Sequence, residues 1–360
     1  MKILLVRLRL IGDVIFTTPA VRALKRRLPD AHLTYLTEPA AAPVLDGNPH
    51  LDDIITLPRA RGVRRLGDDV VWARRLRKRR FDLAIDFHGG PRSRWLTWAS
   101  AAPMRIGYAV PGSRPAYTHR VVRPADLAPR HAVLNQWDLL GPLGGAFTEP
   151  PSPKHDAVEM LENSAATRRV VSRLSAAGVS AGEPLIVLHT SAGNRFRRWP
   201  IDAFADAVAQ LARRDGARSF VVTAGPSEPG AVVRLRVAVA TRLGGGGPAI
   251  IDGDQFGLAE LRSLIDRAAV FIGGDSGPLH VAATTRTPIV GIYGPTLEAR
   301  SAPWRDPACV TEAVHGGPLP CRPCAQRQCE PGDFRCLTQV TAAMVTAAVE
   351  RSMARATDTA

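Results

Sequence analysis

No apolar run in the 360 residues reaches the ~18 needed to cross a bilayer, so a membrane-spanning chain is not expected. The opening MKILLVRLRLIGDV imitates a secretion signal for six residues; Arg7, Arg9 and Asp13 then interrupt it, and it reads as a first strand. No segment repeats at a solenoid period and none is of low complexity. At 45% hydrophobic residues the chain can bury two sizeable cores, against a disordered class. Cysteine is scarce. Of the five, Cys321, Cys324, Cys329 and Cys336 read C-x2-C-x4-C-x6-C in a Pro/Gly-rich loop. That is not the double C-x2-C of a zinc ribbon, so a structural metal, a disulfide pair and reduced thiols all stay open, with a loop staple remote from chemistry favoured. Acidic residues are also few, 33 against 47 Lys and Arg, for a formal charge of +14. Ten basic residues fall between Arg59 and Arg80. Such a surface suits an anionic substrate, an anionic membrane face or nucleic acid, or is only a solvated face. The segment interleaves one aromatic, Trp72, and matches no nucleic-acid motif, so nucleic acid is not expected.

What is present is an alternation of buried apolar strands and helical stretches, which predicts a parallel sheet covered on both faces. Strands are expected at Lys2–Arg7, His32–Thr37, Asp53–Leu57 and Asp82–Phe87, with a helix over Asp13–Leu28. A Gly/Pro-rich stretch, a helix near Asn163–Ala177 and a second turn form the expected linker. The alternation then restarts at Leu185–His189. This gives a domain over 1–160, a second over 180–338, and a last helix and tail over 339–360. Two such doubly wound halves would bind ligands at the carboxyl ends of their strands.

The densest collection of polar and glycine residues at a strand end is Phe271–Thr296, FIGGDSGPLHVAATTRTPIVGIYGPT. It reads as strand, glycine elbow, helix N-terminus, helix and strand. Asp275, Ser276, Gly277 and Pro278 form a helix start, and the free amides of such a turn, with Leu279 following, make an anion site. Asp275 and His280 add titratable groups there. Three further strand ends carry chemistry. Asp13 follows the first strand, where a helix N-terminus favours an anion, which suits a group that starts deprotonated, unless it is only a cap. His189–Pro200 places Thr190, Ser191, Gly193 and three arginines between strand and helix, the composition of a diphosphate cradle. It lacks the Walker lysine pattern and G-x-G-x-x-G, so P-loop hydrolysis and a dinucleotide fingerprint are poorly supported. Glu228, after another strand, could hold a ribose diol or cap a helix.

Taken together, KILLVRLRLIGDVIFTTPAVRALKRRLP, FDLAIDFHG at Phe81–Gly89, the loop ending in Arg197-Arg198-Trp199-Pro200, GGDSGPLHVAATTRTPIVGIYGPT and CRPCAQRQCEPGDFRCL resemble glycosyltransferase family 9, the ADP-heptose:lipopolysaccharide heptosyltransferases. The resemblance implies a GT-B fold of two Rossmann-like domains facing a cleft, acceptor in the first and nucleotide-sugar donor in the second, with the C-terminal helix packing back on the first domain. It implies an inverting transfer of heptose from ADP-heptose to a lipopolysaccharide core or lipid A-type acceptor. No cofactor and no catalytic metal are implied. Asp13 would be the base on the acceptor hydroxyl, Arg197 would neutralise the diphosphate where the family usually has lysine, and Thr190 and Ser191 would line the phosphate loop. Glu228 would bind the ribose, and Asp275, Ser276, Gly277, Pro278, Leu279 and His280 would form the donor signature, with phosphate donors at Ser276, Gly277 and Leu279. The expected place of action is the cytoplasm, peripheral at the inner face of an anionic inner membrane. A transferase using another nucleotide sugar, or a non-catalytic nucleotide-sugar or nucleic-acid binder, remain the alternatives.

Overall fold

The computed structural model describes all residues except 60–63, 126, 181, 246, 247, 249, 254, 255 and 358–360. Arg61 of the basic segment, Ala249 of the strand expected over Ala249–Asp252 and the last three residues of the tail therefore lie outside the described residues. The chain divides into two compact units, Met1–Leu161 and Glu162–Ala360.

The first unit carries six parallel strands: β1 (Lys2–Val6), β2 (His32–Thr37), β3 (Asp53–Thr56), β4 (Leu83–Asp86), β5 (Met104–Tyr108) and β6 (His119–Val121). Their order is β3-β2-β1-β4-β5-β6. Within β1 only Lys2 is exposed, because helices cover both faces and each strand must be apolar throughout. Leu4 aligns with Thr34 on one side and Ala84 on the other. The covering helices are α1 (Ile11–Ile15), α2 (Thr18–Arg27), α3 (Arg64–Lys78), α4 (Pro91–Ala99) and α5 (Ala132–Trp137).

The helix expected over Asp13–Leu28 is broken in two. Pro19 in the first turn of α2 has no N–H to continue the ladder, and the Thr17 and Thr18 hydroxyls donate to the carbonyls of Val14 and Ile15 at 2.7 and 2.8 Å. From Arg105–Gly107 onward the sequence reads as a less regular piece, yet β5 and β6 lie there. β6 is three residues long, none fully buried, and leaves no apolar pattern to detect.

The second unit repeats the plan with β7 (Leu185–His189), β8 (Ser219–Thr223), β9 (Ile250–Asp252), β10 (Val270–Gly274), β11 (Ile289–Ile292) and β12 (Thr311–Val314). The order is β12-β11-β10-β7-β8-β9. Numbered from its own first strand, each sheet runs 3-2-1-4-5-6, the Rossmann order, with its topological switch between the first and fourth strands. The helices are α6 (Ser164–Ala176), α7 (Ile201–Arg214), α8 (Ala231–Arg242), α9 (Leu258–Asp266), α10 (Gly277–Ala282), α11 (Glu298–Ser301), α12 (Arg335–Thr338) and α13 (Ala342–Thr357).

Two boundary expectations change. The linker helix, α6, is part of the second unit: it packs on α9, where Thr167 donates to the Ser263 hydroxyl at 3.0 Å and Arg169 pairs with Glu260. The last helix, α13, expected to pack back on the first domain, buries its apolar face in the core of the second unit. Ala342, Val345, Ala348 and Val349 recur at helical spacing and bury in the core that holds Ile186, Phe204 and Val290. Trp199 Nε1 donates to the Val340 carbonyl at 2.9 Å, and Arg218 grips Glu350 with two hydrogen bonds of 2.7 and 3.0 Å. Forked pairs of this kind are among the stronger polar contacts, and they fix α13 to its own unit.

Candidate active site

In the first unit the site residues gather where β1 and β4 diverge. After Val6 the backbone passes through Leu10, a non-glycine residue in the left-handed region at φ 69°, and enters α1, whose third residue is Asp13. A backbone held this way is over-determined by its surroundings, as is common where a loop aims a functional group. Arg7 pairs with the Asp13 carboxylate through one guanidinium nitrogen, and through the other donates to the Phe87 carbonyl at 2.5 Å. One side chain thus ties the end of β1 to the end of β4. A cavity of about 670 Å³ opens there, lined by Arg7, Arg9, Arg59 and Arg123 with His88, against the two acids Asp13 and Glu38. Burial, reinforced by Arg7 and Arg9, pushes His88 down to about 4, so it is neutral at physiological pH. Asp86 has another task. Fully buried, it accepts from the Tyr117 hydroxyl at 2.6 Å and from the amides of His88 and Gly89 at 2.8 and 3.0 Å, and holds the turn that presents His88. Burial raises its pKa despite those donors.

Sequence reasoning selects Asp13 here but misses Arg7, His88 and Arg123. Arg7 registers only as an interruption of an apolar run. The signal that could find it is its place at the last position of a first strand, where a charge has no core to enter.

In the second unit three strand ends meet at the equivalent switch. The loop after β7 is braced on the loop after β8. His189 Nδ1 lies 2.9 Å from the Thr223 hydroxyl, its Nε2 lies 3.2 Å from the Ser191 hydroxyl, and the Gly225 amide donates to that same hydroxyl at 2.5 Å. Thr190 donates both its amide and its hydroxyl to the Thr223 carbonyl, at 3.1 and 3.4 Å. Thr190 and Ser191, expected to line a phosphate loop, therefore commit their side chains to bracing that loop from within.

Burial drives His189 down to about 4. Its pKa is lower folded than unfolded, so the unfolded chain binds the extra proton. The contribution is sound above pH 6.5 and is lost as pH falls from 6.5 to 4, by up to about 3 kcal/mol. Urea denaturation across that range is expected to show the loss, and His189→Gln to flatten it. An equal acid slope in both proteins would assign it to other groups.

The arginines of this loop divide their work. Arg198 donates to the Ala192 carbonyl at 2.9 Å and pairs with Glu228 at 3.4 Å. Arg197 reaches the other way and pairs with Asp275, at the end of β10, at 3.2 Å. The glycine elbow permits this approach: a Cβ on Gly274 would sit 2.9 Å from the Arg197 carbonyl. Asp275 is 2% exposed, and neither carboxylate oxygen accepts a hydrogen bond among the described residues. His280 Nε2 lies 3.7 Å from it. The Ser276 hydroxyl is likewise buried without a hydrogen-bond partner among the described residues. Buried polar atoms left without partners are unusual in a finished interior and mark places where a ligand group fits. One expected phosphate donor drops out: the Leu279 amide donates to the Ser276 carbonyl at 3.1 Å, inside the first turn of α10. Ser276 and Gly277 stay candidates, with Pro278 half-buried behind them.

The four clustered cysteines are unpaired thiols, half-buried. Burial, and then Cys324, Cys321 and Cys329 as neighbours, push Cys336 up to about 11. Among the described residues no group of three or more His, Cys, Asp or Glu is arranged to hold a metal ion. The loop expected to be a staple remote from chemistry reaches the loop after β7, where Gln326 accepts from Arg197 Nε at 2.7 Å.

Two Rossmann-ordered sheets, each with charged residues drawn to its switch point, define a two-domain α/β class that binds ligands at its strand ends. A family model described as glycosyltransferase family 9 (heptosyltransferase) matches residues 71–333, and the chain belongs to that family and is a glycosyltransferase. It is 25% identical over 314 residues to lipopolysaccharide heptosyltransferase 3 of Escherichia coli, covering 82% of this chain and 84% of that one. Its fold is similar to a glycosyltransferase family 9 structure from Veillonella parvula (TM-score 0.78, 22% identity, 98% and 97% covered) and to the E. coli heptosyltransferase WaaC with ADP (TM-score 0.69, 18% identity, 98% and 100% covered).

Proposed function

We propose that the protein transfers heptose from ADP-heptose to a lipopolysaccharide core acceptor, with inversion at the anomeric carbon and without a catalytic metal. The observation that carries this reading is the division of charge between the two switch points: a carboxylate, Asp13, in an arginine-lined cavity in one unit, and Arg197 paired with Asp275 in the other. Asp13 takes the proton of the acceptor hydroxyl as that oxygen attacks the anomeric carbon. The bond from that carbon to the diphosphate oxygen breaks, and the electron pair leaves with ADP. Charge develops on the diphosphate, where Arg197 and the amides of Ser276 and Gly277 stabilise it in place of a metal ion. A single in-line displacement inverts the centre. Glu228, half-buried beside Arg198, holds the ribose, and Asp275 and His280 face the sugar.

The cavity around Asp13, four arginines against two acids, fits an acceptor that carries phosphate or carboxylate groups. The excess of basic residues supports peripheral attachment to an anionic membrane face. No helix among the described residues is long and apolar enough to cross a membrane. The test is to assay the purified protein with ADP-heptose, UDP-sugars and GDP-sugars on a core acceptor, in the presence of EDTA, and to assign the product anomer by NMR. Transfer from ADP-heptose alone, undiminished by EDTA and with inverted configuration, is expected. Turnover confined to another nucleotide sugar, a retained anomer or loss of activity to the chelator would each overturn the corresponding part of the reading.

A further inference from the structure

The motif that the proposed chemistry leaves unused is the cysteine loop, and one of its residues touches the donor side. Gln326 lies between Cys324 and Cys329 and holds φ at 57°, in the left-handed region that non-glycine residues seldom adopt. The conformation aims its side chain at the loop after β7: the amide oxygen accepts from Arg197 Nε at 2.7 Å and from Asn194 Nδ2 at 3.2 Å. The loop is pinned from two directions while it does so. Arg322 donates to the Thr296 carbonyl at 2.9 and 3.2 Å and pairs with Glu298 at 3.1 Å. The Cys324 amide donates to the Pro295 carbonyl at 3.2 Å, and Phe334 meets the Phe196 ring at a centroid distance of 5.3 Å. A strained residue whose flanks are fastened on both sides, and whose one polar group is directed at a functional arginine, has the form of a positioning element.

We infer that Gln326 is a positioning residue for the donor diphosphate: it fixes the plane of the Arg197 guanidinium from its Nε side and leaves the outer nitrogens to Asp275 and to the leaving group. This rests on the assignment of Arg197 to the diphosphate. A guanidinium recognises phosphate through a planar fork, so its orientation matters as much as its charge. Asn194, the cap of the short turn carrying Arg197, bonds the same oxygen, so one amide sets both the turn and the side chain.

Glycine is the informative substitution, because it accepts the left-handed backbone without strain while removing the side chain with its amide. ADP binding to the full-length protein is measured by calorimetry for the wild type, Gln326→Gly, Arg197→Ala and the double variant. Gln326→Gly is expected to weaken ADP about tenfold, to raise the KM for the nucleotide sugar by a similar factor while leaving the acceptor KM unchanged, and to melt no lower than the wild type. Gln326→Glu, which retains an oxygen acceptor, is expected to stay within about threefold. In the Arg197→Ala background the Gln326→Gly change is expected to cost less than twofold, since the group it orients is gone. Wild-type affinity in Gln326→Gly, or an equal loss with and without Arg197, overturns the inference and leaves the donor assignment standing. Failure of the wild-type protein to bind ADP overturns the donor assignment and this inference with it.

Discussion

Asp13→Asn is expected to lower transfer about 10³-fold, equivalent to about 4 kcal/mol in the barrier, with the affinity for ADP unchanged. Asparagine keeps the shape and a hydrogen-bond acceptor for Arg7 but cannot take a proton, so the loss falls on kcat. The fold should survive. The Arg7–Asp13 pair is partly exposed, at 12% and 26%, and such pairs contribute about 1 kcal/mol or less. Arg7 also retains its bond to the Phe87 carbonyl. Besides Glu38, the cavity offers His88 as a rival base, neutral because its pKa is pushed down to about 4. If His88 carried the proton, Asp13→Asn would keep most of its rate, His88→Gln would lose it, and the acid limb of the rate profile would fall near pH 4. Rates for the two variants, with ADP titrations as the control on the second unit, separate these outcomes.

The parts of the site that can be read from the sequence share one property: their signal is local. Asp275, Ser276 and Gly277 stand out because a glycine elbow, a capping residue and a proline occur in the order that ends a strand and starts a helix. The two-sheet architecture is legible for the same reason, since continuous apolar runs between helical stretches admit few arrangements. What escapes depends on distant partners or on competition between neighbours. Arg7 looks like a flaw in an apolar run until β4 is placed beside β1 and Phe87 presents its carbonyl. Thr190 and Ser191 have the composition of a phosphate loop, yet short hydroxyl side chains bond equally well to nearby backbone, here that of Thr223 and Gly225. The α13 helix has an apolar face that fits any sheet, and only the packing shows that its own unit takes it. Gln326 lies 129 residues from Arg197, a separation at which no pattern in one sequence connects two side chains.

Arg197→Ala is expected to reduce kcat/KM by about 10²- to 10³-fold, the range for deleting one preorganised donor at a developing negative charge, and to weaken ADP binding as well. The second effect follows because the arginine faces a diphosphate both before and after the bond breaks. Arg197→Lys restores charge without the fork. The shorter, single-point ammonium cannot hold Gln326 and Asp275 together, so it should recover donor affinity more fully than rate. Stability moves too. Asp275 is 2% exposed and Arg197 is its nearest cation, so removing the arginine leaves a buried carboxylate without a counter-charge. With the Arg197 side chain about one-third exposed, at 34%, the cost is about 2 kcal/mol rather than the larger figure for a fully enclosed pair. Asp275→Asn in the Arg197→Ala background should restore the melting temperature without restoring transfer, because neutralising the acid removes the buried charge and supplies nothing to the diphosphate. An Arg197→Ala protein with kcat/KM within threefold of wild type would move the leaving-group role elsewhere, and a double variant that regained activity would show that the single change acts through folding alone.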